Sequence, residues 1–241
     1  MKLIAHRGGS LGKENSFETF LASARMGADM VECDIRRTKD GVLVIYHDPS
    51  LERLAGYPVT VDQVTLEEMQ QMHAAKGLEV LTFDRLAAEY KEKTPILLHI
   101  KLLDYDEAFA KHVVDSGLPI IPGVMSLDML RCFTPYLPPE RILAFIPEPE
   151  MAKDFYDNGT GIIRLWEQWL VKITPADVKA LCPNAHVFIM ACNLKLGEDH
   201  YIPLETMDGS IESLEKCLAL EADGVLLNHI EMALNWREQK V

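Results

Sequence analysis

The chain has no long apolar run. None of its 241 residues belongs to a stretch near the roughly 18 that a membrane-spanning helix needs, and Leu3-Ile4-Ala5 is too short for the apolar core of a signal peptide. The expectation is a cytoplasmic protein with no stable membrane insertion. Basic clusters are missing too: 24 Lys and Arg face 37 Asp and Glu, a formal charge of −13. That balance argues against nucleic acid as a partner, because a phosphate backbone needs a basic surface. The five cysteines are scattered and never spaced C-x-x-C, so neither a disulfide framework nor a zinc knuckle is expected, and buried free thiols in a reducing compartment are. The nucleotide-binding loop G-x-x-x-x-G-K-[ST] is also lacking. Gly12-Lys13 is followed by Glu14, and Arg7 stands where the first glycine belongs. A carboxylate in place of the metal-binding hydroxyl would repel phosphates.

What is present is a regular alternation. A hydrophobic content of 48% with 25% charged residues suits a soluble globular chain. Short β-like runs fall at 2–6, 30–35, 42–47, 95–101, 119–125, 141–146, 161–165, 186–192 and 223–228, with helical segments at 15–27, 105–116, 127–136, 175–182 and 211–221. Asp128 and Ser210 read as helix N-caps, Gly27 and Gly117 as helix stops. Such alternation implies a parallel sheet covered by helices. Nine strands exceed an eight-stranded barrel by one, but Lys39-Asp40-Gly41 allows only a tight turn between 30–35 and 42–47. Parallel neighbours need a longer crossover, so this pair must be an antiparallel hairpin. The expected architecture is α/β, a single TIM-type (β/α)8 barrel domain over 1–241. It carries a hairpin after strand 2 and a small insertion over the mouth at about 48–80, with a helix at 65–75.

Active sites of such barrels lie at the C-terminal ends of the strands. There stand His6-Arg7, then Glu32 and Asp34 two apart and hence on one face of the pleat, then His47-Asp48 on the returning hairpin, then His99 and Lys101. Two carboxylates on one face repel unless a cation or proton lies between them, and a hard divalent ion is the natural resident. An isolated E-x-D is more often a solvated strand face; here it flanks Cys33 in an apolar run. His6 and His47, each ordinary alone, together form a pair able to act as base and acid. Arg7 offers a planar fork for phosphate oxygens, or else a salt bridge to Glu14. Lys101 adds a second positive charge. Metal, histidines and cations together suit phosphodiester cleavage.

H-R-G at 6–8, E-N-S at 14–16, E-C-D at 32–34, T-K-D-G at 38–41 and H-D at 47–48 closely resemble the glycerophosphodiester phosphodiesterase family. The likeness is dense from residue 3 to about 54 and thin beyond 80. It implies a TIM barrel with a small insertion and hydrolysis of glycerophosphodiesters to glycerol 3-phosphate and an alcohol. Carried over, His6 and His47 become the acid–base pair, Arg7 a phosphate contact, Glu14 a supporting carboxylate, and Glu32 and Asp34 metal ligands. The resemblance implies Mg²⁺ or Ca²⁺, and the neighbouring glycerol hydroxyl as internal nucleophile.

Three positions depart from the family pattern. His99-Ile100-Lys101 stands where the family has E-I-K, so His99 takes the place of a metal-ligating glutamate. Imidazole suits Mn²⁺ or Zn²⁺ better than Mg²⁺ or Ca²⁺. Met190, followed by Asn193, replaces an aromatic residue on the seventh strand, and Asn228 replaces an aspartate after the last. The expected partner is a small-molecule phosphodiester, and a homo-oligomer is left open. Two alternatives stand beside the hydrolase: a related phosphodiesterase for a lysophospholipid or sugar phosphodiester, and a non-catalytic barrel that binds phosphodiesters. Leu51, Leu54, Tyr57 and Val59 either line an alcohol pocket or form the insertion's own core.

Overall fold

The computed structural model describes residues 1–191 and 209–240. Cys192, Asn193 and His200 lie outside the described residues. Eleven strands are described, in chain order β1 (Lys2–Ala5), β2 (Met30–Arg37), β3 (Leu43–Ile45), β4 (Ser50–Leu51), β5 (Tyr57–Thr60), β6 (Ile96–Ile100), β7 (Ile120–Val124), β8 (Leu143–Phe145), β9 (Ile162–Trp166), β10 (His186–Met190) and β11 (Gly224–Leu227). Eight of them (β1, β2 and β6 to β11) are parallel, and pairing of β1 with both β11 and β2 closes them into a barrel. β3 returns antiparallel on β2, as the tight turn requires, with Gly41 at φ +86°. The fold is therefore the expected TIM barrel with its extra hairpin.

Strand alternation sorts the side chains. Met30, Glu32 and Asp34 of β2 face the barrel interior, whereas Val31, Cys33 and Ile35 face the helical layer. The interior below the mouth is filled by Ile4, Leu97, Ile121, Leu143, Phe188 and Leu226 with their neighbours. It is a packed plug, as such barrels require, and the mouth is left as the place for chemistry. Gly224 leaves the space that Phe188 and Ile4 occupy, since a Cβ there would lie within about 3 Å of both.

Helices Phe17–Met26, Glu107–Asp115, Pro175–Leu181 and Ile211–Ala219 fall where the sequence pattern puts them, and Ser210 caps the last as expected. Asp128 is not a cap. Ser126 Oγ accepts the Met129 N–H at 3.1 Å and begins Leu127–Phe133, while Asp128 pairs with Arg131. Two residues' difference decides it, because a cap must precede the first helical residue. Phe83–Glu89, Ala152–Asp157 and Ile230–Glu238 are helices that the apolar pattern did not reveal; the first two, at seven and six residues, span too few turns to display a period.

The segment at 48–80 contains the β4–β5 hairpin and helix Leu66–Ala74, started by a Thr65/Glu68 capping box. Leu51, Ala55, Val61, Val64 and Met69 form a small apolar cluster with Val44 and Tyr46 of the β3 arm, and Leu54 and Val59 pack on it. Leu51 and Val59 thus belong to the insertion's own core. Tyr57 is exposed.

Gly123 of β7 lies beside His99 of β6 in the parallel register. A Cβ at this glycine would sit 2.3 Å from Phe145 Cε2, and the Phe145 ring stacks on the His99 imidazole with centroids 3.8 Å apart. Gly123→Ala must displace that ring. The expected outcome is a loss of about 1–3 kcal/mol from overpacking, read as a lower urea midpoint at unchanged slope; an unchanged midpoint would refute the steric account.

Candidate active site

The turn after β1 builds the first wall. Arg7 is held left-handed at φ +51°, an unusual conformation for a residue with a side chain, followed by Gly8 and Gly9 with positive φ. This bend aims the Arg7 N–H at Glu32 Oε2, 2.7 Å away. Asn15, also left-handed at φ +54°, accepts the Asp34 N–H at 3.2 Å and donates its amide to Asp34 Oδ2 at 3.1 Å. Backbone strain of this kind clusters at functional sites. Each carboxylate thus has one oxygen held by a fixed donor. The other oxygens, Glu32 Oε1 and Asp34 Oδ1, are buried without a hydrogen-bond partner among the described residues.

His99 Nδ1 completes the corner, 3.8 Å from Glu32 Oε1 and 3.3 Å from Asp34 Oδ1. Glu32, Asp34 and His99 each offer a ligand atom, all within 4.8 Å of one another. Burial and then the Asp34 charge push the Glu32 carboxyl up to about 8. Burial works against ionisation of Asp34 as well, but Lys101, with Nζ 3.3 Å from Oδ1, and His99 hold it well below the usual carboxylate range. Burial and Lys101 push His99 down to about 3, leaving a neutral imidazole. Two carboxylate oxygens without a hydrogen bond, beside a neutral imidazole nitrogen, fit a divalent cation, whose ligands must shed their protons.

The cavity above this corner has a volume of about 620 Å³, and His6, Arg7, Glu32, His47, His99 and Lys101 all line it. His6 is buried, and its Nδ1–H donates to Asn228 Oδ1 at 2.8 Å, so Nε2 carries the lone pair. Burial, and next Arg7, lower its pKa well below the ordinary value. His47 stands at the rim with Nδ1 2.6 Å from Asp48 Oδ1; burial lowers its pKa, and the Asp48 hydrogen bond pulls it back.

Glu14 and Asp34 do not line this cavity. Asp34 lies beneath it, and Glu14 beside it, where Glu14 accepts from Arg7 Nη1 at 3.4 Å and from Arg53 Nη1 at 3.2 Å. The salt bridge weighed for Arg7 is therefore present, yet Arg7 Nε remains buried without a hydrogen bond. Arg53, from the insertion, also donates to Asp48 Oδ2 at 2.5 Å. One guanidinium thus ties the loop carrying Arg7 to the partner of His47, and nothing in the spacing of the sequence signals it. Arg164 is a second cation the sequence reading missed. It occupies an inward position of β9 with its guanidinium 4.2 Å from the Trp166 ring centre, and both residues line the cavity. The signal was available: an arginine inside the apolar run I-I-R-L-W.

The profile of the glycerophosphoryl diester phosphodiesterase family matches residues 6–130, more than half of the chain. The chain belongs to this family. A glycerophosphodiester phosphodiesterase from Caldanaerobacter subterraneus is 30% identical over 143 residues, covering 58% of this chain and 56% of the relative. The matched stretches span about half the length of the curated relatives. Solved structures agree over nearly the whole fold. A glycerophosphoryl diester phosphodiesterase from Parabacteroides distasonis superposes with a TM-score of 0.72 at 24% identity, over 100% of this chain and 87% of that one. A phosphodiesterase from Oleispira antarctica, solved with the product sn-glycerol-3-phosphate, gives 0.67 at 17% identity, over 98% and 97%.

The corner formed by Glu32, Asp34 and His99, which could hold a metal ion, makes a proton-linked prediction. Glu32 holds a proton below about pH 8, while Asp34 and His99 hold none at neutral pH. Binding a divalent cation must then release about one proton, so affinity should rise about tenfold per pH unit from 6 towards 8 and level off above. Calorimetric Mn²⁺ titrations across that range check this; a flat profile would count against Glu32 as a ligand.

Proposed function

We propose that the chain is a metal-dependent phosphodiesterase that cleaves glycerophosphodiesters to glycerol 3-phosphate and an alcohol. The observation that carries this reading is the convergence of two histidines, which follow β1 and β3, on one cavity, above a carboxylate pair with one oxygen of each free of hydrogen bonds and beside Arg7. A barrel that only bound phosphodiesters would have no use for a base and an acid held by separate partners.

Glu32, Asp34 and His99 would hold the divalent ion, with the nitrogen donor favouring Mn²⁺ or Zn²⁺ over Mg²⁺ or Ca²⁺. When bound, such an ion supplies Lewis-acid polarisation of a phosphoryl oxygen. Arg7 and Lys101 bind the phosphate: the first offers a guanidinium whose Nε makes no hydrogen bond and lies 3.6 Å from Asp34 Oδ2, the second a point charge beside Asp34. His6 is the base. Its Nδ1–H is held by a neutral amide oxygen, which leaves Nε2 free to take the proton of the glycerol hydroxyl next to the phosphate. That oxygen attacks phosphorus and the bond to the alcohol breaks. His47 is the acid, its imidazolium stabilised by Asp48, and it protonates the departing oxygen. Water then opens the cyclic phosphate with the two histidines in exchanged roles, giving glycerol 3-phosphate. Glu14 positions Arg7 and Arg53 rather than touching substrate.

The test is release of glycerol 3-phosphate from glycerophosphocholine, glycerophosphoethanolamine and glycerophosphoglycerol, using metal-stripped protein with single ions added back. Release should require a metal and be fastest with Mn²⁺ or Zn²⁺. His6→Ala and His47→Ala should each lower kcat by about 10²–10⁴-fold with an unchanged circular dichroism spectrum. No release with any ion would overturn the reading.

A further inference from the structure

A second cavity of about 790 Å³ lies beside the first. Leu11 and Phe17 from the N-terminal loop and helix, Ala22 one turn on, Leu54 of the insertion, and Leu78 and Leu81 of the chain leaving it form its apolar walls. Among the described residues, His47 is the one side chain that lines both cavities. The ion pair of Glu14 with Arg53 joins the wall of the one to the wall of the other. Lys13, which donates to the Gly77 carbonyl at 2.7 Å, lines the second cavity too, as do Glu14, Glu18 and Glu79. Glu14 is paired with Arg7 and Arg53, and Glu79 with Arg85, so these charges are answered within the protein, and the apolar walls favour an uncharged apolar occupant.

The position of the cavity says which part of a substrate would enter it. In-line displacement puts the attacking and leaving oxygens on opposite sides of phosphorus. His6, deep in the barrel, serves the attacking glycerol oxygen, so the glycerol half lies inward. His47, at the rim, serves the leaving oxygen, and what extends past it is the alcohol half.

We propose that the second cavity receives an apolar alcohol half, so that the preferred substrates are alkyl esters of glycerol phosphate rather than esters of small charged alcohols. This rests on the hydrolytic reading above. Remote binding of the alkyl group would then be used to seat the leaving oxygen against His47.

Three esters decide it, each assayed with the protein loaded with its most active ion: glycerophosphoethanol, glycerophospho-octanol, and glycerophosphoethanol bearing an octanoyl chain on the terminal glycerol hydroxyl, which leaves the one next to the phosphate free. The octyl ester should exceed the ethyl ester in kcat/KM by about tenfold or more, and the octanoyl chain should bring no gain. Ala22→Trp, at an exposed helical position that tolerates bulk, and Leu78→Asp, on another wall, should each bring the octyl-to-ethyl ratio towards one. Equal rates for the octyl and ethyl esters would overturn the proposal while leaving the hydrolase intact. A gain from the octanoyl chain instead would overturn it in favour of the glycerol half. If no ester is cleaved with any ion, the hydrolytic reading fails and this proposal falls with it.

Discussion

Two carboxylates, Glu32 and Asp34, are buried side by side at the mouth of the barrel, and much of the surrounding structure compensates that burial. Desolvation and mutual repulsion make two adjacent buried negative charges untenable without partners. The chain answers with the strained backbone of Arg7 and Asn15, whose donors hold one oxygen of each carboxylate. Lys101 and the His99 imidazole stand at the remaining face of Asp34. The compensation is deliberately incomplete in the geometric sense, because one oxygen on each group stays without a hydrogen bond. Those two oxygens and the His99 nitrogen could hold a metal ion.

A second layer connects this corner to the rim. Arg7, Glu14, Arg53, Asp48 and His47 form a continuous chain of charged contacts across the mouth. Burial and the two hydrogen bonds to Asp48 oppose each other, and the hydrogen bonds prevail, holding its carboxyl well below the usual range. The insertion is therefore more than a cover. Through Arg53 it is linked by way of Glu14 to Arg7 and by way of Asp48 to the rim histidine, so displacement of the insertion would be felt at both.

Two side chains set the state of the histidines. Burial, and next the Arg7 charge, keep His6 neutral, while Asn228 Oδ1 accepts its Nδ1–H without adding a negative charge. His99 offers a neutral nitrogen beside the two carboxylates, and its ring is fixed by stacking on Phe145 in space that Gly123 leaves open. The orientation of the His99 ring therefore depends on a glycine one strand away.

The sequence by itself determined the eight-strand count, the hairpin at 38–41, the inward pairing of Glu32 with Asp34, and the prominence of His6, Arg7, His47 and His99. These are local facts: period-two alternation, a turn too short for a crossover, and spacing within one strand express themselves over a few neighbouring residues. It did not disclose Arg53 or Arg164, the Ser126 cap in place of Asp128, or the cavity that His47 shares with the first helix and the insertion. Arg53 meets Glu14 across 39 positions of chain, and Arg164 reaches the site only because β9 closes around the same axis as β2. Contacts between distant segments depend on how the barrel closes and where the insertion packs, and only the tertiary structure decides that.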